Sequence, residues 1–214
     1  MADWVGIAVA IGIIVTAILH LSALAQAPNW RYYLFKPMPI LLMAIGVVMF
    51  AKPSFFMWLI VAGLVLSAVG DVFLMLPKDK FIQGLLAFLI AHLFYSVAFW
   101  GQVGAEMVWW LPAVLFSAGI MIVLLLLPDL KSMLIPVTVY MLVIIQMAWA
   151  AGEYYLTTST LASSFAFVGA LSFLFSDLTL AMNRFRQKSL TKEYLIMTSY
   201  YLAQGAIAYS AIAA

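Results

Sequence analysis

The chain has 214 residues, 67% apolar and 8% charged, where a soluble domain carries about 25% charged residues. Such a composition cannot furnish a water-facing surface and excludes a soluble globular protein. A net charge of +2 leaves no electrostatic footprint for nucleic acid, and the absence of cysteine excludes disulfides and thiolate chemistry.

Apolar runs of roughly 18–20 residues recur, the length that crosses ~30 Å of hydrocarbon. The expected fold is all-α: a polytopic transmembrane bundle of eight helices forming one domain over 1–214. The first run covers 4–25. The opening Met1-Ala2-Asp3-Trp4 lacks the basic segment of a cleavable signal peptide, so this run reads as a retained span. A linker over Gln26 to Lys36 leads to a short second span at 37–51, opening with Pro37 and Pro39, residues that a helix tolerates in its first turn. Lys52-Pro53-Ser54 breaks the chain before a third span at 55–76. Pro77 to Lys80 precedes a fourth at 81–100, and Gln102 to Glu106 a fifth at 109–127. Pro128 to Lys131 separates that from a sixth at 133–151. Glu153 to Thr160 and Arg184 to Glu193 bracket a seventh at 162–183, and the eighth runs over 194–212.

Charge tests this count. With eight spans, Arg31, Lys36, Lys78, Lys80, Lys131, Arg184, Arg186, Lys188 and Lys192 fall on one side, and Lys52 alone on the other. This asymmetry marks the basic linkers as cytoplasmic and puts both termini on the opposite side. A helical, cysteine-free chain of this kind suits a bacterial inner membrane. Most of the seven tryptophans lie near span ends, as an interfacial belt requires.

An internal echo suggests two parallel four-helix repeats. Gly70-Asp71-Val72-Phe73-Leu74 resembles Ser176-Asp177-Leu178-Thr179-Leu180. Asp71 lies seven residues before Lys78, and Asp177 seven before Arg184. His92 lies twelve after Lys80, and Gln204 twelve after Lys192.

Ionisable residues inside spans cost about 2.5–3.5 kcal/mol each on insertion scales, so the few present can be weighed singly. They are His20, Asp71, His92 and Asp177. Asp71 and Asp177 each sit ~10 Å along a helix axis from a cytoplasmic base, at matched depth. Each follows a small residue, Gly70 or Ser176, of the kind that lets helices approach closely. Two carboxyls brought together do not both ionise cheaply, and one protonated beside one ionised is the pairing that general acid–base hydrolysis needs. The structural alternative is that each aspartate merely satisfies a neighbouring helix.

His92 shares a face with Gly84, Phe88, Ala91 and Tyr95 and leans toward Asp71. It is a candidate to orient a carboxylate or a water, with packing as the alternative. His20 is expected to reach an interface. Lys36 stands at headgroup depth as a point-charge partner for phosphate, or as an ordinary snorkelling lysine. Tyr95, Tyr140, Tyr200 and Gln204 are candidate substrate contacts inside the bundle, with Gln146 and Tyr201 as further polar groups. Catalytic zinc usually takes three protein ligands, chiefly histidine, and this chain has only His20 and His92, so no metal is expected. There is no Gly-rich phosphate loop and no G-x-S-x-G elbow.

Together, Lys36-Pro37, Gly70-Asp71, Ala91-His92, Ser176-Asp177 and Leu202-Ala203-Gln204 resemble the YhhN family of membrane proteins, which includes lysoplasmalogenases. The resemblance runs from the second span to the eighth. It implies an eight-helix enzyme, without metal or organic cofactor, that hydrolyses the vinyl ether of a lysoplasmalogen. The products would be a fatty aldehyde and glycerophosphoethanolamine or glycerophosphocholine. Asp71 and Asp177 would be the acid/base pair, His92 would position one of them or the water, and Lys36 would hold the phosphate. The expected partners are a lysophospholipid substrate and membrane lipids. The competing reading is proton-coupled export of a lipid or amphiphile. Transporters with broken helices carry Gly or Pro inside paired spans, whereas here prolines cluster at or near span ends, which favours a fixed site. A purely structural membrane subunit fits the intramembrane carboxylates least.

Overall fold

The computed structural model describes residues 2–104 and 107–214, so Ala105 and Glu106, in the expected break at 102–106, lie outside it. The described residues form α-helices and short 3-10 turns without strands. In chain order the helices are α1 (Ala2–Ala23), α2 (Trp30–Phe35), α3 (Met38–Phe50), α4 (Phe55–Met75), α5 (Phe81–Trp100), α6 (Trp110–Leu130), α7 (Leu134–Thr158), α8 (Leu161–Phe185) and α9 (Leu190–Ile212). Six stretches are long and apolar enough to cross a membrane; one of them, Trp110–Thr158, contains both α6 and α7. α9 is not among the six, because it carries Ser199, Tyr200, Tyr201, Gln204 and Ser210.

Local chemistry explains several departures from the expected boundaries. Asn29 caps α2 by accepting the Tyr32 N–H at 2.9 Å, which makes helix of residues expected in a linker. Pro37 and Pro39 bring no N–H to the next turn, so α2 and α3 are separate pieces meeting at Lys36. α6 passes through Pro128, with Arg186 Nη2 donating to the Leu125 carbonyl in the same turn at 2.7 Å. α7 continues beyond Glu153, expected to open a loop. The Glu153 carboxylate is buried and accepts the Val108 N–H at 3.0 and 3.1 Å and Trp149 Nε1–H at 2.9 Å. With that buried side chain hydrogen-bonded, the helix runs on to Thr158.

The arrangement of polarity is inverted relative to a soluble protein. Ile7, Ile11, Ile14 and Ile18 form an exposed stripe on α1, and Val114, Met121, Leu124 and Leu125 do so on α6. His20, Lys36, Asp71, His92, Glu153, Ser176 and Gln204 are buried. Apolar side chains outside and polar ones inside are what a hydrocarbon solvent demands, and the protein is an integral membrane protein.

Two long helix pairs, α4 with α5 and α8 with α9, form the centre of the bundle. α5 packs on α7, and α3 packs on both α4 and α9. α1 covers α3, and α6 covers α7. A Cβ at Gly169 would lie 3.0 Å from the Ala203 carbonyl oxygen and the Ile207 nitrogen, so α8 and α9 touch backbone to backbone. A Cβ at Gly63 would fall 2.2 Å from the Tyr95 ring, which fixes how closely α4 and α5 cross.

Candidate active site

A cavity of about 640 Å³ opens at the end of the central pairs that carries the α4–α5 and α8–α9 loops. Both aspartates line it, together with Lys36, Tyr200 and Ser176. Asp71 comes from the last turns of α4 and is buried; Asp177, from α8, is partly accessible. Toward the loops the wall becomes strongly polar, with Asp79, Lys80, Arg184, Arg186, Lys188 and Glu193.

Each aspartate is held by one phenol. Tyr200 Oη donates to Asp71 Oδ2 at 2.8 Å, and Tyr140 Oη donates to Asp177 Oδ2. Ser176 donates to the Ile196 carbonyl at 3.0 Å and ties α8 to α9 beside Asp177. Lys36 is only 6% exposed, lines the same cavity as Asp71, and sits with its Nζ 5.8 Å from the centre of the Tyr32 ring. Among the described residues its ammonium makes no ion pair.

Other expected site residues stand behind the cavity wall. His92 is fully buried and makes no hydrogen bond to either carboxylate. Its ring stands edge-on to Phe173 at 4.5 Å and to Tyr140 at 5.4 Å between centroids, so it meets Asp177 only through Tyr140. Of the two roles expected for it, orienting a carboxylate or a water and packing, the ring contacts are of the packing kind. Tyr95 and Gln204 hydrogen-bond each other at 2.7 Å and do not line the cavity. That bond joins α5 to α9 through Tyr95 Oη and Gln204 Oε1, while Gln204 Nε2 is buried without a partner among the described residues. His20, expected at an interface, is fully buried with Nδ1 2.8 Å from Tyr201 Oη.

Several cavity residues were not singled out from sequence. Asp79 bonds Arg184 across the mouth, and Arg184 also lies over the Phe81 ring at 4.9 Å. The Arg184 guanidinium, with help from the Phe81 N–H, holds the Asp79 carboxyl below the usual carboxylate range. Asn183 Oδ1 accepts the Ser189 N–H at 2.8 Å and closes the α8–α9 loop. The basic residues were legible as topology signals, and what hid their second use was that loops distant in sequence converge. Among the described residues, no three His, Asp or Glu side chains gather around a common point.

Fold and site together define a helical integral membrane protein with two carboxyl groups in one basic-rimmed cavity. The YhhN family model matches residues 31–211, and the chain belongs to that family. Relatives come from bacteria and from animals. The chain is 26% identical over 193 residues to an uncharacterized membrane protein YhhN of Escherichia coli O157:H7, covering 89% of this chain and 92% of that one. It is 36% identical to human lysoplasmalogenase TMEM86A, covering 88% of this chain and 81% of the relative. Mouse lysoplasmalogenase TMEM86B is 34% identical, with 86% and 77% covered. No solved structure matches.

Proposed function

We propose that this protein hydrolyses the vinyl ether bond of lysoplasmalogens, using Asp71 and Asp177 as an acid/base pair. The observation that carries the reading is a single cavity lined by both aspartates and Lys36, with a basic mouth. Relatives at 34–36% identity named lysoplasmalogenase support the substrate class.

The chemistry follows from the groups. One protonated carboxyl delivers a proton to the alkenyl carbon and leaves an oxocarbenium ion. The ionised partner stabilises that cation and takes a proton from the water that adds to it. The hemiacetal then collapses to a fatty aldehyde and the glycerophospho-alcohol: the pair takes the hemiacetal O–H proton and gives one to the departing oxygen, so one water is consumed and the pair ends with the single proton it began with. Tyr200 and Tyr140 hold the carboxylates in place. His92 acts by packing Tyr140 against Asp177. Lys36 attracts the phosphate, and the alkenyl tail lies along apolar side chains such as Leu74, Phe88 and Met197. The reaction as written needs neither metal nor organic cofactor.

The same reading places eight spans in one membrane domain, built as two parallel repeats. Helix contacts support the repeat: α4–α5 matches α8–α9, α3–α4 matches α7–α8, α5–α7 matches α9–α3, and α1–α3 matches α6–α7. So do corresponding side chains. Gly63 and Gly169 each stand eight residues before an aspartate, and they meet Tyr95 and Ile207, three residues after His92 and Gln204. The cavity opens on the face with the basic loops, which supports a site on the cytoplasmic side of a bacterial inner membrane with both termini opposite.

The test is aldehyde release from 1-alkenyl lysophospholipid by purified protein in detergent, beside folded Asp71→Asn and Asp177→Asn variants. Wild-type release with a loss of about 10²-fold or more in each variant is expected. No aldehyde from folded wild type sinks the hydrolase reading and brings lipid export forward.

A further inference from the structure

Lys36 occupies an unusual place in the chain. It follows α2 directly, and Pro37 and Pro39 stand just beyond it, so regular helix bonding alone does not hold this junction. Two buried side chains from opposite ends of the sequence meet there. Tyr201 Oη on α9 donates to the Lys36 carbonyl at 3.0 Å. The same oxygen lies 2.8 Å from His20 Nδ1 on α1.

Proton accounting fixes the direction of this chain. A carbonyl only accepts, so the single phenolic proton of Tyr201 goes to Lys36. His20 must then carry its proton on Nδ1 and donate it to Tyr201 Oη. Its Nε2 is left buried without a partner. His20 is fully buried, and Tyr201 is 7% exposed. The preceding residue on α9, Tyr200, grips Asp71. Adjacent residues of one helix therefore set both the carboxylate and the backbone from which the lysine extends.

We infer that Tyr201 and His20 are positioning residues that fix the Lys36 ammonium in the cavity, and that they thereby select lipids bearing a phosphate. The inference rests on the phosphate role given to Lys36 above. It predicts that Tyr201 matters for a charged headgroup and not for the tail.

Binding separates this from the hydrolase reading. The probes are a saturated 1-alkyl lysophosphatidylethanolamine, which cannot undergo vinyl ether hydrolysis, and the 1-alkyl glycerol lacking its phosphate, each titrated in maltoside detergent. Tyr201→Phe is expected to weaken the phospholipid about 10-fold, the loss of one buried hydrogen bond, and to leave the alkyl glycerol unchanged. Lys36→Met should do the same, and the double variant should bind no worse than Lys36→Met alone. His20→Asn, which retains a donor near the Nδ1 position, should bind as wild type, whereas His20→Leu should resemble Tyr201→Phe. Equal weakening of both lipids, additive losses in the double variant, or no phosphate preference in wild type would each overturn the inference. If Tyr201→Phe fails to fold, the contrast between the two His20 variants decides. Wild type that binds the phospholipid but releases no aldehyde from an alkenyl substrate refutes the hydrolase reading and leaves positioning to be judged on binding.

Discussion

Tyr200 on α9 donates to Asp71 Oδ2 on α4 at 2.8 Å, between residues 129 positions apart in sequence. Tyr140 on α7 does the same for Asp177 on α8. A phenol has one proton to give, so each bond ties one carboxyl oxygen and leaves the other without a protein partner among the described residues. Both aspartates line the cavity. A carboxyl anchored by one oxygen and available through the other suits a group that must exchange protons with a substrate without changing rotamer.

Removing either phenolic hydroxyl should therefore cost turnover more than binding. Hydrogen bonds to charged groups contribute about 1.5–3 kcal/mol, so Tyr200→Phe and Tyr140→Phe should each lower kcat by roughly 10- to 100-fold. KM should change by less than about 3-fold if the lost bond acts mainly in the transition state. Steady-state aldehyde release checks both. An effect confined to KM would make these tyrosines substrate-binding groups instead.

His92 gives a prediction of smaller size. It makes no hydrogen bond and contributes edge contacts to Phe173 and Tyr140. Phenylalanine retains an aromatic ring there and removes a buried polar group that has no partner. His92→Phe should keep thermal stability close to wild type and lower kcat by less than about 10-fold, whereas loss of a proton carrier costs about 10²–10⁴-fold. Turnover beside a melting curve distinguishes packing from proton transfer.

How much of this was legible in the sequence depended on the kind of signal. The membrane class, the helical bundle and the aspartates followed from runs of apolar residues interrupted by rare charges. Asp71 and Asp177 stood out because an intramembrane carboxylate is costly, and cost is local information. Their partners were not legible as partners. Tyr140 and Tyr200 look like any aromatic residue in a span, and only tertiary packing selects Tyr200 for Asp71 and Tyr201 for the Lys36 carbonyl. Glu153 was misplaced for a related reason. An acidic residue near a span end reads as a loop, and here its side chain accepts hydrogen bonds from the Val108 N–H and Trp149 while staying inside a helix. Helix α2 was missed because a six-residue helix is too short for periodicity to show.

Helix crossing distances supply a stability test. At Gly169 the obstacles to an added methyl include backbone atoms of α9, which cannot rotate away. Gly169→Ala should separate α8 from α9 and cost about 1–3 kcal/mol, as overpacking does. The shift would strain the Ser176 bond to the Ile196 carbonyl, and activity should fall with stability. At Gly205 the nearest atom beyond its own helix is the end of Met43 at 3.6 Å, ordinary contact, so Gly205→Ala should be neutral or slightly stabilising. Melting temperatures of the two variants in the same detergent make the comparison.

The pair across the cavity mouth has a defined pH signature. Asp79 and Arg184 are both exposed, with side chains 64% and 42% accessible, so screening limits the contribution of their contact to stability to less than about 1 kcal/mol. Because Arg184 holds the Asp79 carboxyl below its usual range, the sign is set. The contribution is fully present above the unfolded carboxylate value of about 3.9 and is lost as pH falls through the lower folded value. Asp79→Asn should therefore melt slightly below wild type near neutrality, and the gap should close only when the solution is acidified below the ordinary carboxylate range. Added salt should shrink the gap at neutral pH. A gap that persisted in strong acid, where the carboxyl is protonated, would mean that Asp79 does not stabilise the mouth through its charge.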